Sequence, residues 1–535
     1  MALGWDASSG KYSAEQASIS TIANSSEALA TSESLSQKTG MKKQISTVSA
    51  LFIIFNRMVG TGIFATPSVI LHLGGSVGIS LLMWILGAIV ATAGLNVYIV
   101  WGSWLPLNGG EKNYLEYLFP KPTRLATTLF ASQAVLIAWG AGNSLVFAEY
   151  ALAAWNPHPS VNPVTSPSSP LSPVRLVAFA CLTSTLFLHG VSVRAGLRVQ
   201  NILGFTKIGI LIVLVTLGIL ALKGQLREGV EKPRNFESWN KIWEGTNTSG
   251  TVLCSCLYQA LYGYVGFSNA NYSLGEMRNP TRTLRVAGTL AVLTVTVFYL
   301  FCNVAYLAAA SKEEITSSGR LVAAVLFRNV WGPKAERVLN AFVALSTLGN
   351  VYSVSFSYGR VNQELGKDGI IPFGNFWASS WPTGAPLAGL GLHWLVCMIV
   401  IFGIPEGDAF NFMISLTSYP MAVINGVISF GLLYIVVRRW SNSGANSTSL
   451  GEETPLLSQA RLLSNDLPIP TSSVFLATLV FGFANVFLVV VPFLRPPKGL
   501  EPFRDLPYWA QAVGGWGMFV IGYLWWVYSN TRTRL

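Results

Sequence analysis

The residues best placed to do chemistry in this chain are glycines. Val59-Gly60-Thr61-Gly62-Ile63-Phe64-Ala65-Thr66-Pro67 sets two of them and a proline inside an apolar run, roughly Ile45 to Leu73. That run is otherwise long enough to cross a bilayer as one helix. Glycine in mid-helix costs about 1 kcal/mol and frees backbone groups that hydrocarbon cannot satisfy. Such a break is tolerated where it lines a cavity, so the chemistry on offer is that of bare main-chain dipoles holding a small solute. N–H groups at the start of the outer half-helix suit a carboxylate. The expectation is a solute carrier with no covalent step.

A second cluster has the same character. Leu261-Tyr262-Gly263-Tyr264-Val265-Gly266-Phe267-Ser268-Asn269-Ala270-Asn271 punctuates the sixth apolar segment. Breaks in the first and sixth segments are what an inverted five-plus-five repeat predicts, because the first helix of each half is the discontinuous one. Close packing of small residues explains one glycine pair, but less readily two clusters at corresponding places.

Ionisable side chains inside a membrane are expensive and are functional suspects by default. Three are expected within spans: Lys207, in Gln200-Asn201-Ile202-Leu203-Gly204-Phe205-Thr206-Lys207; Arg57, just to the inner side of the glycine break; and Glu149, toward the outer surface. Snorkelling to the inner interface is the plainer account of Lys207 and Arg57, and a gating ion pair is the other account of Arg57. His72, His158 and His393 read as loop or span-end residues and His189 as lying near the end of the fourth span. None is expected to relay protons.

Elements that could position these groups follow from composition. The 535 residues are 51% hydrophobic and only 11% charged, with a mean hydropathy of +0.48, whereas soluble domains carry roughly 25% charge. The fold class is therefore all-α integral membrane. About twelve transmembrane helices are expected, near 47–72, 77–101, 125–153, 174–192, 200–222, 249–273, 286–310, 335–360, 385–404, 408–437, 472–494 and 508–528. Residues 1–44 read as a disordered cytoplasmic tail, 45–437 as a ten-helix core, 438–471 as a cytoplasmic linker, 472–528 as two additional helices and 529–535 as a cytoplasmic C-terminus. No signal peptide is expected.

The net charge of +11 reads as membrane orientation rather than nucleic-acid binding. Short inner loops carry Arg194 and Arg198, and Arg278, Arg282 and Arg285, while 156–173 holds no Lys or Arg. Both termini are then cytoplasmic and Asn247-Thr248-Ser249 becomes an external glycosylation sequon. The five cysteines, Cys181, Cys254, Cys256, Cys302 and Cys397, show no disulfide framework or metal spacing. No cofactor or metal is expected. The absence of H-E-x-x-H, of a G-x-S-x-G elbow and of an intramembrane acid pair argues against an enzyme.

Taken together, Gly60-Thr61-Gly62-Ile63-Phe64 and the stretch from Tyr262-Gly263-Tyr264 to Gly275-Glu276-Met277-Arg278-Asn279-Pro280 resemble the amino acid–polyamine–organocation superfamily, L-type amino acid transporter branch. Arg198-Val199-Gln200 with Lys207, and Gly109-Gly110-Glu111, add to the match. Phe55-Asn56-Arg57-Met58-Val59-Gly60 looks most like the fungal high-affinity methionine permeases. The resemblance covers roughly 45–437. It implies a LeuT-like inverted repeat with discontinuous helices 1 and 6. It also implies a substrate carboxylate on amides around Thr61, Gly62 and Ile63, with Gly60 at the same substrate-binding break. The substrate ammonium would meet carbonyls around Asn56, Val59, Tyr262 and Gly263, with Gly266 in the second break. An aromatic at Tyr262 acts as a lid in that family, and a lysine at the position of Lys207 puts its amine where sodium-coupled relatives hold an ion.

The chain departs from the animal pattern in two places. Residues 156–173 contain no cysteine, so no disulfide-linked heavy chain is expected, and Gly275-Glu276 stands where paired acids occur. Arg57, Tyr262 and Glu276 are the expected gating residues. The expected side-chain liners Tyr264, Phe267, Ser346, Asn350 and Ser418 are neutral, so a neutral L-amino acid is expected, methionine by resemblance alone. A lysine in low dielectric can give up its proton, which makes Lys207 the expected coupling group of a proton symporter in the plasma membrane. An amino-acid-sensing receptor of the same fold and an exchanger of broader specificity are the alternatives.

Overall fold

Described in the computed structural model are residues 43–155, 172–318, 322–332, 334–403, 408–442, 467–496, 503 and 506–534. The expected N-terminal tail and most of segments 156–173 and 438–471, His158 included, lie outside them. The first apolar run becomes two helices, α1 (Thr47–Met58) and α2 (Gly62–Gly74). The Ser46 hydroxyl caps α1 by accepting from the Ser49 amide, and α1 stops where Val59 leaves helical geometry at ψ 84°. Next come α3 (Val77–Trp104), α4 (Glu111–Leu118), α5 (Leu125–Leu136), α6 (Ala141–Trp155), α7 (Pro173–Val191) and α8 (Val193–Leu222). The sixth run yields α9 (Gly250–Gly263), which ends at its first glycine and gives way to the 3₁₀ turns Asn269–Tyr272 and Leu274–Glu276. Then follow α10 (Pro280–Ala309), α11 (Ala335–Lys367), α12 (Leu387–Gly403), α13 (Asp408–Asn442), α14 (Thr471–Val490) and α15 (Ala510–Arg534).

No strand occurs among the described residues beyond two isolated bridges, Ile45 with Met277 and Asn108 with Ser273. Among the described residues, nine segments are long and apolar enough to cross a membrane. The segments expected at 249–273, 385–404 and 508–528 are not among the nine. α9 is cut short by its own break, and α12 has only 17 residues.

Four expectations about the elements are corrected. The third span is not continuous: α5 ends at Leu136, Ile137 is extended at ψ 115°, and α6 begins at Ala141. Trp139, in this gap, stacks on Tyr358 at 5.1 Å. Second, α8 begins at Val193, one residue beyond α7, because the Ser192 hydroxyl caps it by accepting from the Ala195 amide. Arg194 and Arg198 therefore lie on the first turns of α8 rather than in a loop, and Arg282 and Arg285 likewise lie on α10, whose first residue is Pro280. Third, α11 runs on to Lys367 and carries Arg360, 1% exposed, inside the protein. Last, His393 is buried within α12, stacked on Tyr358 at 5.9 Å; helix continuity through that segment hides it.

The two breaks meet backbone to backbone. A Cβ on Gly62 would lie 2.9 Å from the Gly263 Cα, so only glycine lets α2 and α9 approach this closely. Gly266 adopts φ 128°, a conformation L side chains rarely take, as the chain passes over Arg57. α1 is enclosed by α8, α10 and α11, while α2 packs along α9.

Gly62→Ala is expected to lower the apparent unfolding temperature of detergent-purified protein, overpacking costing about 1–3 kcal/mol. Gly209→Ala is the control, since a Cβ there meets nothing within 4 Å. It should be neutral or stabilising by up to about 1 kcal/mol.

Candidate binding site at the broken helices

A helix that stops in mid-bundle leaves its last carbonyls without amide partners, and burial makes each of them costly. In α1 side chains from three helices supply the missing donors. Lys207 Nζ, on α8, donates to the Asn56 carbonyl at 2.9 Å and also to that of Val59. Asn350 Nδ2, on α11, donates to the Arg57 carbonyl at 2.6 Å. The Tyr299 hydroxyl, on α10, reaches the Met58 carbonyl at 2.8 Å and the Gly263 carbonyl at 3.0 Å, so one group ties the ends of α1 and α9 together. Ser346 Oγ lies 3.4 Å from the Val59 oxygen, and Asn56 is itself anchored by donating to the Gln200 carbonyl at 2.7 Å.

The amides across the gap have no such partners. Thr61 makes no side-chain cap to α2, and the amides of Thr61, Gly62 and Ile63 find no backbone acceptor among the described residues. The break thus offers donors rather than acceptors. Its surroundings carry the matching charge. Lys207 is 1% exposed, and Arg57 donates to Asn350 Oδ1 at 3.3 Å with its guanidinium carbon 5.8 Å from the centre of the Trp139 ring. Among the described residues neither cation is in an ion pair. Both stand at the C-terminal end of α1, where the helix dipole favours positive charge.

Several expected residues converge here. Asn350 and Ser346 are buried against α1, and Tyr262 is half-buried on the last turn of α9. Of the four carbonyls expected to receive an ammonium, Asn56 and Val59 accept from Lys207, Tyr262 accepts from the Val265 amide at 3.3 Å, and Gly263 shares the one Tyr299 proton with Met58. Val59 also has Ser346 Oγ at 3.4 Å and Tyr262 also accepts from the Tyr264 amide, so spare acceptor capacity is left on Asn56 and Gly263.

Tyr264 and Phe267 have their partners in the scaffold. The Tyr264 hydroxyl donates to the Trp84 carbonyl at 3.2 Å, and Phe267 packs edge-on to Tyr98 and Phe481, each at 5.7 Å. Ser418 is half-buried on α13 and Glu149 partly buried on α6. Glu276 forms a bidentate ion pair with Arg360, whose Nη2 lies 2.8 Å from Oε2 and whose guanidinium covers Phe356 at 3.5 Å. The backbone of Glu276 also accepts from the Ile45 amide at 3.2 Å, joining the start of α1 to the turns after α9. Asn247 sits in a turn, its Oδ1 accepting from the Ser249 amide at 3.0 Å.

Sequence reasoning missed Tyr299, Arg360 and the Trp139 to Asn143 corner, whose Asn143 Oδ1 would lie 3.8 Å from a Cβ on Gly60. Gly140 and Gly142 were the available signal for that corner. All five cysteines are free, and among the described residues no cluster of His, Cys, Asp or Glu could hold a metal.

Membrane-length helices interrupted at facing glycines define an integral, multi-pass membrane protein. Residues 45–519 match the family model described as amino acid permease, and the chain belongs to that family, which makes it a transporter and not an enzyme. It is 39% identical over 487 residues to a high-affinity methionine permease of Saccharomyces cerevisiae, covering 91% of this chain and 79% of that protein. It is 32% identical over 398 residues to a low-affinity methionine permease of the same organism, covering 73% and 70%. Identity to the b(0,+)-type amino acid transporter 1 of Mus musculus is 26% over 464 residues, covering 86% and 84%.

Glu276→Gln leaves the Arg360 guanidinium buried without its carboxylate and should cost about 3–5 kcal/mol, read as a fall in apparent unfolding temperature. Replacing both partners by apolar residues, Glu276→Leu with Arg360→Met, should recover most of it.

Proposed function

We propose that the chain imports neutral L-amino acids, methionine foremost, by alternating access around the two breaks, driven by the proton gradient. The observation that carries this is the asymmetry at the first break: α1 carbonyls are supplied with donors, α2 amides are not, and two cations without carboxylates stand beside them. The amides of Thr61, Gly62 and Ile63 receive the substrate carboxylate, as a helix N-terminus does. The ammonium approaches the carbonyls of Asn56, Val59, Tyr262 and Gly263, with Asn56 and Gly263 holding the spare acceptor capacity. With Arg57 and Lys207 close by, a cationic side chain is disfavoured. The similarity to two methionine permeases supports methionine.

In this reading twelve helices span the membrane. Ten of them, within 45–437, form an inverted repeat in which α1–α2 and α9 with its following turns open the two halves. α14 and α15 lie outside the repeat, and segments 1–44, 438–471 and 529–535 face the cytoplasm of a plasma-membrane protein. Tyr262 closes over the substrate, Ser346, Asn350 and Ser418 contribute to side-chain choice, and Glu276 with Arg360 latches the inner side. Lys207 couples the proton: charged, it clamps the end of α1; neutral, it has fewer donors for the Asn56 and Val59 carbonyls, and the inner half-helix is released.

Labelled methionine should accumulate above equilibrium in proteoliposomes with an acidic exterior, and collapsing the pH gradient should abolish the accumulation. Lys207→Ala should lose proton dependence, and full proton-coupled uptake by that variant would exonerate the lysine. Of the twenty amino acids, neutral ones should compete and lysine, arginine and glutamate should not. Binding without accumulation would point instead to a receptor.

A further inference from the structure

A second buried group in the core has the geometry of a proton store. Glu111 is the first residue of α4, follows Gly109 and Gly110, both at positive φ, and is 0% exposed. Its Oε1 accepts from the Tyr98 hydroxyl on α3 at 2.6 Å and from the Tyr272 hydroxyl, in the turn after α9, at 3.0 Å. Its Oε2 has no partner among the described residues. The titratable groups around it are tyrosines: Tyr98 on α3, Tyr114 on α4, Tyr272 after α9 and Tyr358 on α11. Arg57 of α1 acts on Tyr272 and Tyr358, and Lys112, the next residue, is engaged with Asp368. α13 contributes the neutral Asn425. Among the described residues no Lys or Arg pairs with Glu111.

Counting protons shows two settings of this cluster. The Tyr98 oxygen lies 2.6 Å from Glu111 Oε1 and 2.7 Å from Asn425 Oδ1, yet a phenol has one proton to give. If Glu111 is a carboxylate, Tyr98 donates to it and Asn425 must turn its amide nitrogen toward Tyr98. If Glu111 is a carboxylic acid, it donates to Tyr98, and Tyr98 donates to the Asn425 oxygen. A proton placed on Oε1 therefore changes whether the Tyr98 hydroxyl points to Glu111 on α4 or to Asn425 on α13.

We propose that the Glu111 carboxyl is a proton-binding site of this protein, distinct from Lys207, whose occupancy sets the joint between α3, α13 and the turns that follow the second break. Desolvation by burial raises Glu111 from the ordinary 4.5 to about 7, overcoming the lowering effect of its tyrosine donors. The carboxyl is then half-protonated near neutral pH. The site itself stands on this geometry, whereas its consequence for uptake rests on the transport reading above.

The test is infrared difference spectroscopy of purified full-length protein titrated from about pH 5 to about pH 9, two units either side of the midpoint. A protonated-carboxyl C=O band should disappear with a midpoint near 7 and be absent in Glu111→Gln. Tyr272→Phe removes a donor to the carboxylate and should move that midpoint up by about one unit; it carries the test if the Gln variant does not fold. A band that persists unchanged in Glu111→Gln, or no carboxyl titrating in this range, would overturn the proposal. In proteoliposomes, labelled-methionine uptake by Glu111→Gln should lose the component of its pH dependence with a midpoint near 7 while keeping its dependence on the proton gradient. A wild-type pH profile in that variant would overturn the link to uptake. A wild type that transports nothing while the infrared band titrates as stated would sink the transport reading and uphold the site.

Discussion

Everything in this molecule depends on how an interrupted helix is tolerated where lipid offers no hydrogen bonds. α1 stops inside the protein, and its terminal carbonyls need donors from somewhere. They come from Lys207 on α8, Tyr299 on α10 and Asn350 on α11, the three helices that enclose α1. The end of α1 is thereby a junction of the whole core rather than a local irregularity. Because the single Tyr299 proton is shared between, or alternates between, the Met58 and Gly263 carbonyls, the two breaks share a fastening. A change at either is felt by the other.

That solution has a consequence for recognition. Once cationic and amide side chains have been placed to satisfy the carbonyls, the unsatisfied groups that remain are N–H groups, and the nearby charges are positive. A helix N-terminus beside Lys207 and Arg57 favours, within the proposed function, a negative group, as the macrodipole does alone. Within the proposed function the carboxylate is the handle common to all substrates, and selectivity is left to neutral side chains such as Ser346 and Asn350. The same cations make a further positive charge unwelcome.

What could be read in the sequence was what leaves a mark on residue type. Gly60, Gly62, Gly263 and Gly266 interrupt apolar runs, and helix termini occur at those places because glycine alone permits the 2.9 Å approach and the φ of 128°. The third interruption was missed, although Gly140 and Gly142 flank it, because hydropathy runs unbroken through Trp139. The stacking of Trp139 on Tyr358 is a tertiary fact. Tyr299 could not be singled out either, since a tyrosine in a long apolar helix gives no sign of where its hydroxyl points. Arg360 was hidden by a span boundary drawn at its own position, and the partner that makes its burial tolerable, Glu276, is far away in sequence. Tyr264 and Phe267 show the opposite failure: proximity to a break in sequence placed them at the site, while their rings belong to the scaffold.

The most direct test of the account asks whether the unpaired amides hold a carboxylate. Binding of labelled methionine to purified protein should be measured in competition with methioninol, which keeps the side chain and amine but lacks the carboxylate. Loss of a charge-assisted contact to several amides, worth about 1.5–3 kcal/mol each, predicts competition weaker by at least about a hundredfold. Methioninol competing as well as methionine would contradict the account, because the break would then be holding something other than an acid group.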